Sequence, residues 1–199
     1  MIKPFFLALT LCLGSLLIAQ NSVQVLFVYG SRPKDKTEDR WFGGIHGGHV
    51  SVSYLEGFVS FVPKDGVQIF RKKTINSKFT LEYGEHFVFD TSNSRYLIIS
   101  IPTDSANRSQ LDSIIKQYLS ASPYPYAFFG MRCASAAADL LQASSILPAT
   151  EASSLWRRYF YPRKLRRQLI KMARQNAWPM IYRSGRTTRK WENDALQPY

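Results

Sequence analysis

The sequence predicts an α+β fold, an antiparallel sheet followed by helices. Two observations carry that expectation. Segments rich in β-branched and aromatic residues fill the first half of the chain, and helical spacing of apolar residues begins only after Pro102. Strands that come first and helices that come later do not suit the alternating units of a doubly wound sheet. Length and composition set the frame: 199 residues with 45 % apolar and 20 % charged side chains suffice for one domain with a packed core and exclude global disorder. Two cysteines, Cys12 and Cys133, cannot form a disulfide scaffold, a four-cysteine zinc site or an iron–sulfur cluster.

The elements follow in order. Residues 1–20 stand apart: Lys3 supplies a positive start, and Phe5 to Ile18 is almost wholly apolar, too short to span a bilayer comfortably. Small and polar residues follow. This predicts a secretory signal cleaved near Ala19 or Gln20, the competing reading being an uncleaved anchor. Cys12 follows Leu11 rather than the small residue a lipoprotein cysteine wants, so it leaves with the signal. The mature protein is then exported, to the periplasm or beyond the cell, with Cys133 as its single cysteine.

Val23–Tyr29 reads as a strand closed by Gly30. Ser31–Gly48 reads as a polar, glycine-rich loop carrying Trp41 and Phe42, two aromatics assigned to binding. His49–Tyr54 and Phe58–Val62 read as a hairpin about the turn Leu55–Gly57. Val67–Lys72, Glu85–Asp90 and Arg95–Ile101 are further strand candidates, the last ended by Pro102. A helix capped by Thr103 or Ser105 runs to about Tyr118, with Leu111, Ile114 and Ile115 at helical spacing. A second, rich in alanine, runs from about Gly130 to Ala143. A third starts at Pro162, a residue suited to the first helical position, and runs to about Ala177.

Cys133 falls at the start of the second helix, where unpaired amide N–H groups and the positive end of the dipole favour a thiolate, and Arg132 adds positive charge. The competing reading is a small buried hydrophobe among alanines. A cysteine nucleophile needs a base, usually histidine, held by a third polar group. His49 opens a strand after Gly47 and Gly48. His46, three residues earlier, is the rival base. His86 sits in an alternating segment and reads as structural.

The run Gly48-His49-Val50-Ser51-Val52 opening a strand, with Cys133 at a helix start some eighty residues later, resembles the circularly permuted papain-like cysteine hydrolases. These form the permuted branch of the NlpC-type superfamily, which includes the lecithin–retinol acyltransferase-like enzymes. The segments IPTDSANRSQLDSIIKQYL and PYPYAFFGMRCASAAADLL also look like that group, so the resemblance covers about residues 45–145. It implies Cys133 as nucleophile and His49 as base. It implies a third residue on the following strand, where Ser60 is the polar side chain, with Glu56 in the turn as another candidate. Oxyanion charge would fall on the Cys133 backbone N–H, with Tyr126 as second donor. Arg132 is assigned to binding beside the nucleophile. The expected activity is hydrolysis of an amide bond in a cell-envelope substrate such as wall peptide, a lipid acyl bond being the alternative. No metal or organic cofactor is implied. Residues 21–150 would form this catalytic domain.

Residues 151–199 would form a basic helical extension packed on that domain. They hold 12 Lys or Arg against Glu151, Glu192 and Asp194, net +9 of the chain's +12. Arg157, Arg158, Arg163, Lys164, Arg166, Arg167, Lys171 and Arg174 crowd around one helix, with Trp156, Tyr159, Phe160 and Tyr161 beside them. The cluster suits an anionic membrane or wall surface, or is the solvated face of a docked helix. Nucleic acid has no binding motif here and export removes it as a partner. The non-enzymatic alternative for the whole chain is an envelope-binding module using this region.

Overall fold

Strand β1 (Ser22–Val28) lies inside an antiparallel sheet because both of its neighbours are long enough to pair along it. On one side is β2 (His49–Tyr54), which turns through Leu55 and Glu56 into β3 (Gly57–Pro63). On the other is β6 (Tyr96–Pro102). Beyond β3 lies β5 (Ser77–Tyr83), and beyond β6 lies β8 (Met180–Arg183), giving the order β5-β3-β2-β1-β6-β8. A separate ribbon pairs β4 (Gln68–Phe70) in parallel with β7 (Ala127–Phe129). The structure is a computed structural model and describes residues 22–29, 48–64, 66–83 and 95–185.

Four helices are described: α1 (Ser105–Ser120), α2 (Cys133–Ala143), α3 (Ala152–Arg158) and α4 (Pro162–Asn176). Alternation along the strands builds the core. Val25 and Phe27 of β1 stand opposite Val52 and Val50 of β2, and all four join one buried cluster with Phe61 and Phe79. Leu111 and Ile115 of α1, Leu140 and Leu141 of α2, and Leu165 and Leu169 of α4 belong to the same cluster. The alanines of α2 are buried at 134, 136, 137 and 138, so this helix lies close on β2 and β3.

The α+β expectation holds: the six-stranded sheet is antiparallel, and the helices follow its first five strands, with β8 returning to it after α4. Details differ for physical reasons. Asp104 caps α1, rather than Thr103 or Ser105, by accepting from the Asn107 amide at 2.7 Å. Helix α2 begins at Cys133, three residues later than periodicity suggests, because Tyr126–Met131 is drawn into a bridge and into β7. The Val67–Lys72 strand shortens to β4 and leaves the main sheet. Strands β5, β7 and β8 and helix α3 are elements that pattern reading missed. Through β8 on β6, and through Leu165 and Leu169 in the core, the C-terminal segment belongs to the same sheet and core as the rest. The Glu85–Asp90 strand candidate, with His86, lies outside the described residues. So does the expected signal with Cys12. Among the described residues no helix is long and apolar enough to cross a membrane.

Candidate active site

Cys133 is the first residue of α2 and is buried. Arg132 ends the preceding extended segment, and its backbone N–H donates to Ser135 Oγ at 2.8 Å while Ser135 Oγ donates to the Arg132 carbonyl at 3.0 Å. That reciprocal pair closes the helix start. Burial pushes the Cys133 thiol up. The Arg132 charge and the amides of Val50, Ala134 and Cys133 itself oppose this without overcoming it. The thiolate expected from position alone is therefore a buried neutral thiol, because a helix N-terminus stabilises an anion less than full burial penalises it.

Contact with the Val50 amide brings the sulfur to the first peptide of β2, the one that joins His49 to Val50. Gly48 precedes it at φ 92°, a conformation that favours glycine, and so sets how the chain enters the strand. His49 is itself buried, and desolvation lowers its pKa to about 3. The imidazole is neutral at physiological pH, the form that accepts a proton. Its strand position has a further consequence. Val50 and Val52 face the core, so alternation assigns His49 with Ser51 and Ser53 to the other face of the sheet.

Tyr126 reaches the nucleophile. Its phenol accepts from the Cys133 backbone N–H, and burial, with Cys133 beside it, raises its pKa strongly, so it is a protonated donor. The Cys133 N–H is thus engaged by Tyr126, which leaves the phenol O–H as the better placed group for developing oxyanion charge. The Tyr126 ring stacks on Phe61 with centroids 5.2 Å apart. Its backbone is held by Asn76, which pattern reading missed. Asn76 Oδ1 accepts from the Tyr126 N–H at 2.9 Å, and Asn76 Nδ2 donates to the Tyr126 carbonyl at 3.0 Å. An asparagine fifty residues away has no signal in the sequence that could mark it as this clamp.

Arg132 also lies at the site. Its guanidinium is buried, 3.7 Å over the Phe160 ring and 5.3 Å from Phe128 and Tyr161. Burial lowers its pKa, while Cys133, Tyr126 and Tyr161 hold it up.

Other expected residues fall elsewhere. Ser60 is buried opposite Ser51, and their hydroxyls share a hydrogen bond of 2.8 Å. Glu56 is exposed in the turn at the far end of β2, about 17 Å along the strand from His49 at the usual rise per residue. It cannot orient that imidazole. A carboxylate overlooked in the sequence, Glu82 on β5, is buried and shares a face with Ser60 and Thr80. Trp41, Phe42 and His46 lie outside the described residues. Arg166 is a correction to the basic cluster: it is fully buried, its guanidinium 4.0 Å over the Tyr29 ring, and is not on a solvated face of α4.

A second, half-buried acid group serves structure. Asp139 of α2 accepts from Tyr118 at 3.0 Å and Tyr124 at 3.2 Å, tying α1 and the connection before β7 to α2. Among the described residues no group of three or more His, Cys, Asp or Glu could hold a metal ion. Comparison with protein-family models, with curated proteins and with solved structures returned no match to this chain.

Proposed function

We propose that this protein is an exported cysteine hydrolase that cleaves an amide bond in a cell-envelope substrate such as wall peptide, with Cys133 as nucleophile and His49 as base on a permuted papain-like fold. The single observation that carries the reading is the meeting of the Cys133 sulfur with the peptide next to His49, with the Tyr126 phenol on the Cys133 N–H. The reading requires the His49 ring to reach the sulfur round the first residue of β2, before pairing with β3 begins at Ser51.

A neutral thiol beside a neutral imidazole works by general base catalysis. As the sulfur attacks the carbonyl carbon, its proton passes to the His49 imidazole and the carbonyl electron pair moves onto oxygen, against Tyr126 O–H. Collapse breaks the C–N bond, and the imidazolium returns the proton to the leaving amine. Water then attacks the thioester, His49 taking its proton, and releases the acid and the free thiol.

The experiment is intact-mass detection of the acyl adduct, using a wall peptide and an activated ester as probes. Wild type accumulates an adduct on Cys133, Cys133→Ala forms none, and His49→Gln slows its formation by roughly 100-fold or more, the usual scale for a general base. An adduct formed equally fast in His49→Gln removes the base assignment, and no adduct with either probe removes the hydrolase. One observation favours the second reading, a non-enzymatic envelope-binding module: alternation directs the His49 side chain to the face opposite α2.

A further inference from the structure

The β4–β7 ribbon exposes apolar side chains that the core does not use. Phe70 stands opposite Phe129, and their rings stack with centroids 5.4 Å apart at 23°. Phe70 is 67 % exposed, Ile69 64 % and Phe129 42 %. Phe129 continues to Phe160 at 6.2 Å, and Phe160 to the exposed Tyr161 at 4.6 Å. Cations border this aromatic run on both sides. Arg71, Lys72 and Lys73 follow Phe70 directly and are exposed, as are Arg157, Arg158 and Lys164 around Phe160 and Tyr161. No acidic residue occurs between 66 and 81 or between 152 and 191. Gly130 fits the ribbon to its neighbour: a Cβ there would lie 2.6 Å from Arg71 Cγ, so the Arg71 stem rests on the backbone two residues before Arg132.

We propose that this ribbon docks on an anionic lipid bilayer, with Ile69, Phe70 and Phe129 entering the interface and the flanking Arg and Lys side chains meeting the headgroups. Charge complementarity selects an anionic surface. The apolar side chains between the cations select a bilayer over a soluble polyanion, because a polymer in water gives a phenylalanine no hydrocarbon to enter. The exposed rings lead through Phe160 to Arg132 and so to Cys133, which places the candidate active site at the membrane surface. The docking stands without the hydrolase reading, since none of its residues takes part in the chemistry proposed above.

The test is co-sedimentation of the full chain with vesicles of phosphatidylglycerol and phosphatidylcholine, against vesicles of phosphatidylcholine alone. The Phe5–Ile18 stretch is common to all variants and cancels in the ratios. Wild type should prefer the anionic vesicles, and the preference should fall as salt rises. Lys72→Gln with Lys73→Gln should weaken anionic binding about 25-fold, at about fivefold per cation near a charged surface. Phe70→Ser with Phe129→Ser should weaken it at least about tenfold while the cations remain. Cys133→Ala should bind as wild type, so loss of catalysis and loss of docking are separable. Equal binding to both vesicle types overturns the proposal. So does binding that follows the cations and ignores the phenylalanines, the behaviour of a polyanion site. A dimer in sedimentation velocity that the phenylalanine substitutions dissolve also overturns it, since the ribbon would then cover a second copy of the chain.

Discussion

The two faces of the β2–β3 hairpin are made of the same chain but obey different rules. One face carries Val50, Val52, Val59 and Phe61 into the core beneath the helices. The other carries His49, Ser51, Ser53 and Ser60, buried polar side chains set among the apolar Phe58 and Val62. On the first face stability comes from area removed from water and from close packing. On the second each polar side chain must find a hydrogen-bond partner, as Ser51 and Ser60 find each other. The difference shows that burial on both faces does not produce two hydrophobic cores. On the polar face burial displaces the titration of His49, the candidate base.

The largest effect should come from the apolar face. The Phe61 ring touches Phe79, Tyr124 and Tyr126 at centroid distances of 4.9–5.2 Å, so Phe61→Ala should cost about 3–5 kcal/mol in denaturant unfolding. A loss near 1 kcal/mol would mean that the site collapses and that the two faces are energetically alike.

The polar face should reveal itself through pH. Its imidazole has a folded pKa of about 3 against an ordinary value of 6.5. Between these values the unfolded chain binds the extra proton, so stability is fully present above about pH 6.5 and falls as pH drops towards 3. The slope attributable to His49 is at most about 1.4 kcal/mol per pH unit. Unfolding measured from pH 4 to 7 should be flatter for His49→Gln than for wild type. Parallel curves would show that the ring is solvated.

Cys133 adds a kinetic check at the junction between the faces. Because burial raises its pKa, iodoacetamide should label it with a midpoint above about 8.5, the free-thiol value. A midpoint below 7 would restore the thiolate that helix position alone suggests.

The smallest effect belongs to the serine pair. Ser60→Ala should cost about 1 kcal/mol, since it leaves the Ser51 hydroxyl buried without its partner. Ser51→Ala combined with Ser60→Ala should cost less than the sum of the two single changes, because no orphaned hydroxyl remains. Strict additivity in that cycle would show that the two hydroxyls do not interact.

Local pattern alone was enough for the α+β class, the β2–β3 hairpin, the placement of Cys133 at a helix start and the three longer helices. Each of these follows from local period, turn chemistry or a proline, all written within a few residues. Tyr126 came to attention only through the family resemblance, as a second oxyanion donor, and not from any local pattern. Tertiary structure alone decided the rest. The departure of β4 to pair with β7 depends on a partner nearly sixty residues away. The clamp of Asn76 on Tyr126 and the burial of Arg166 over Tyr29 join residues whose own segments carry no sign of each other. The protonation states of Cys133 and His49 belong to this second kind. A pKa is set by the surroundings of the group in three dimensions, and here desolvation outweighs the helix terminus and the arginine that the sequence places beside the thiol.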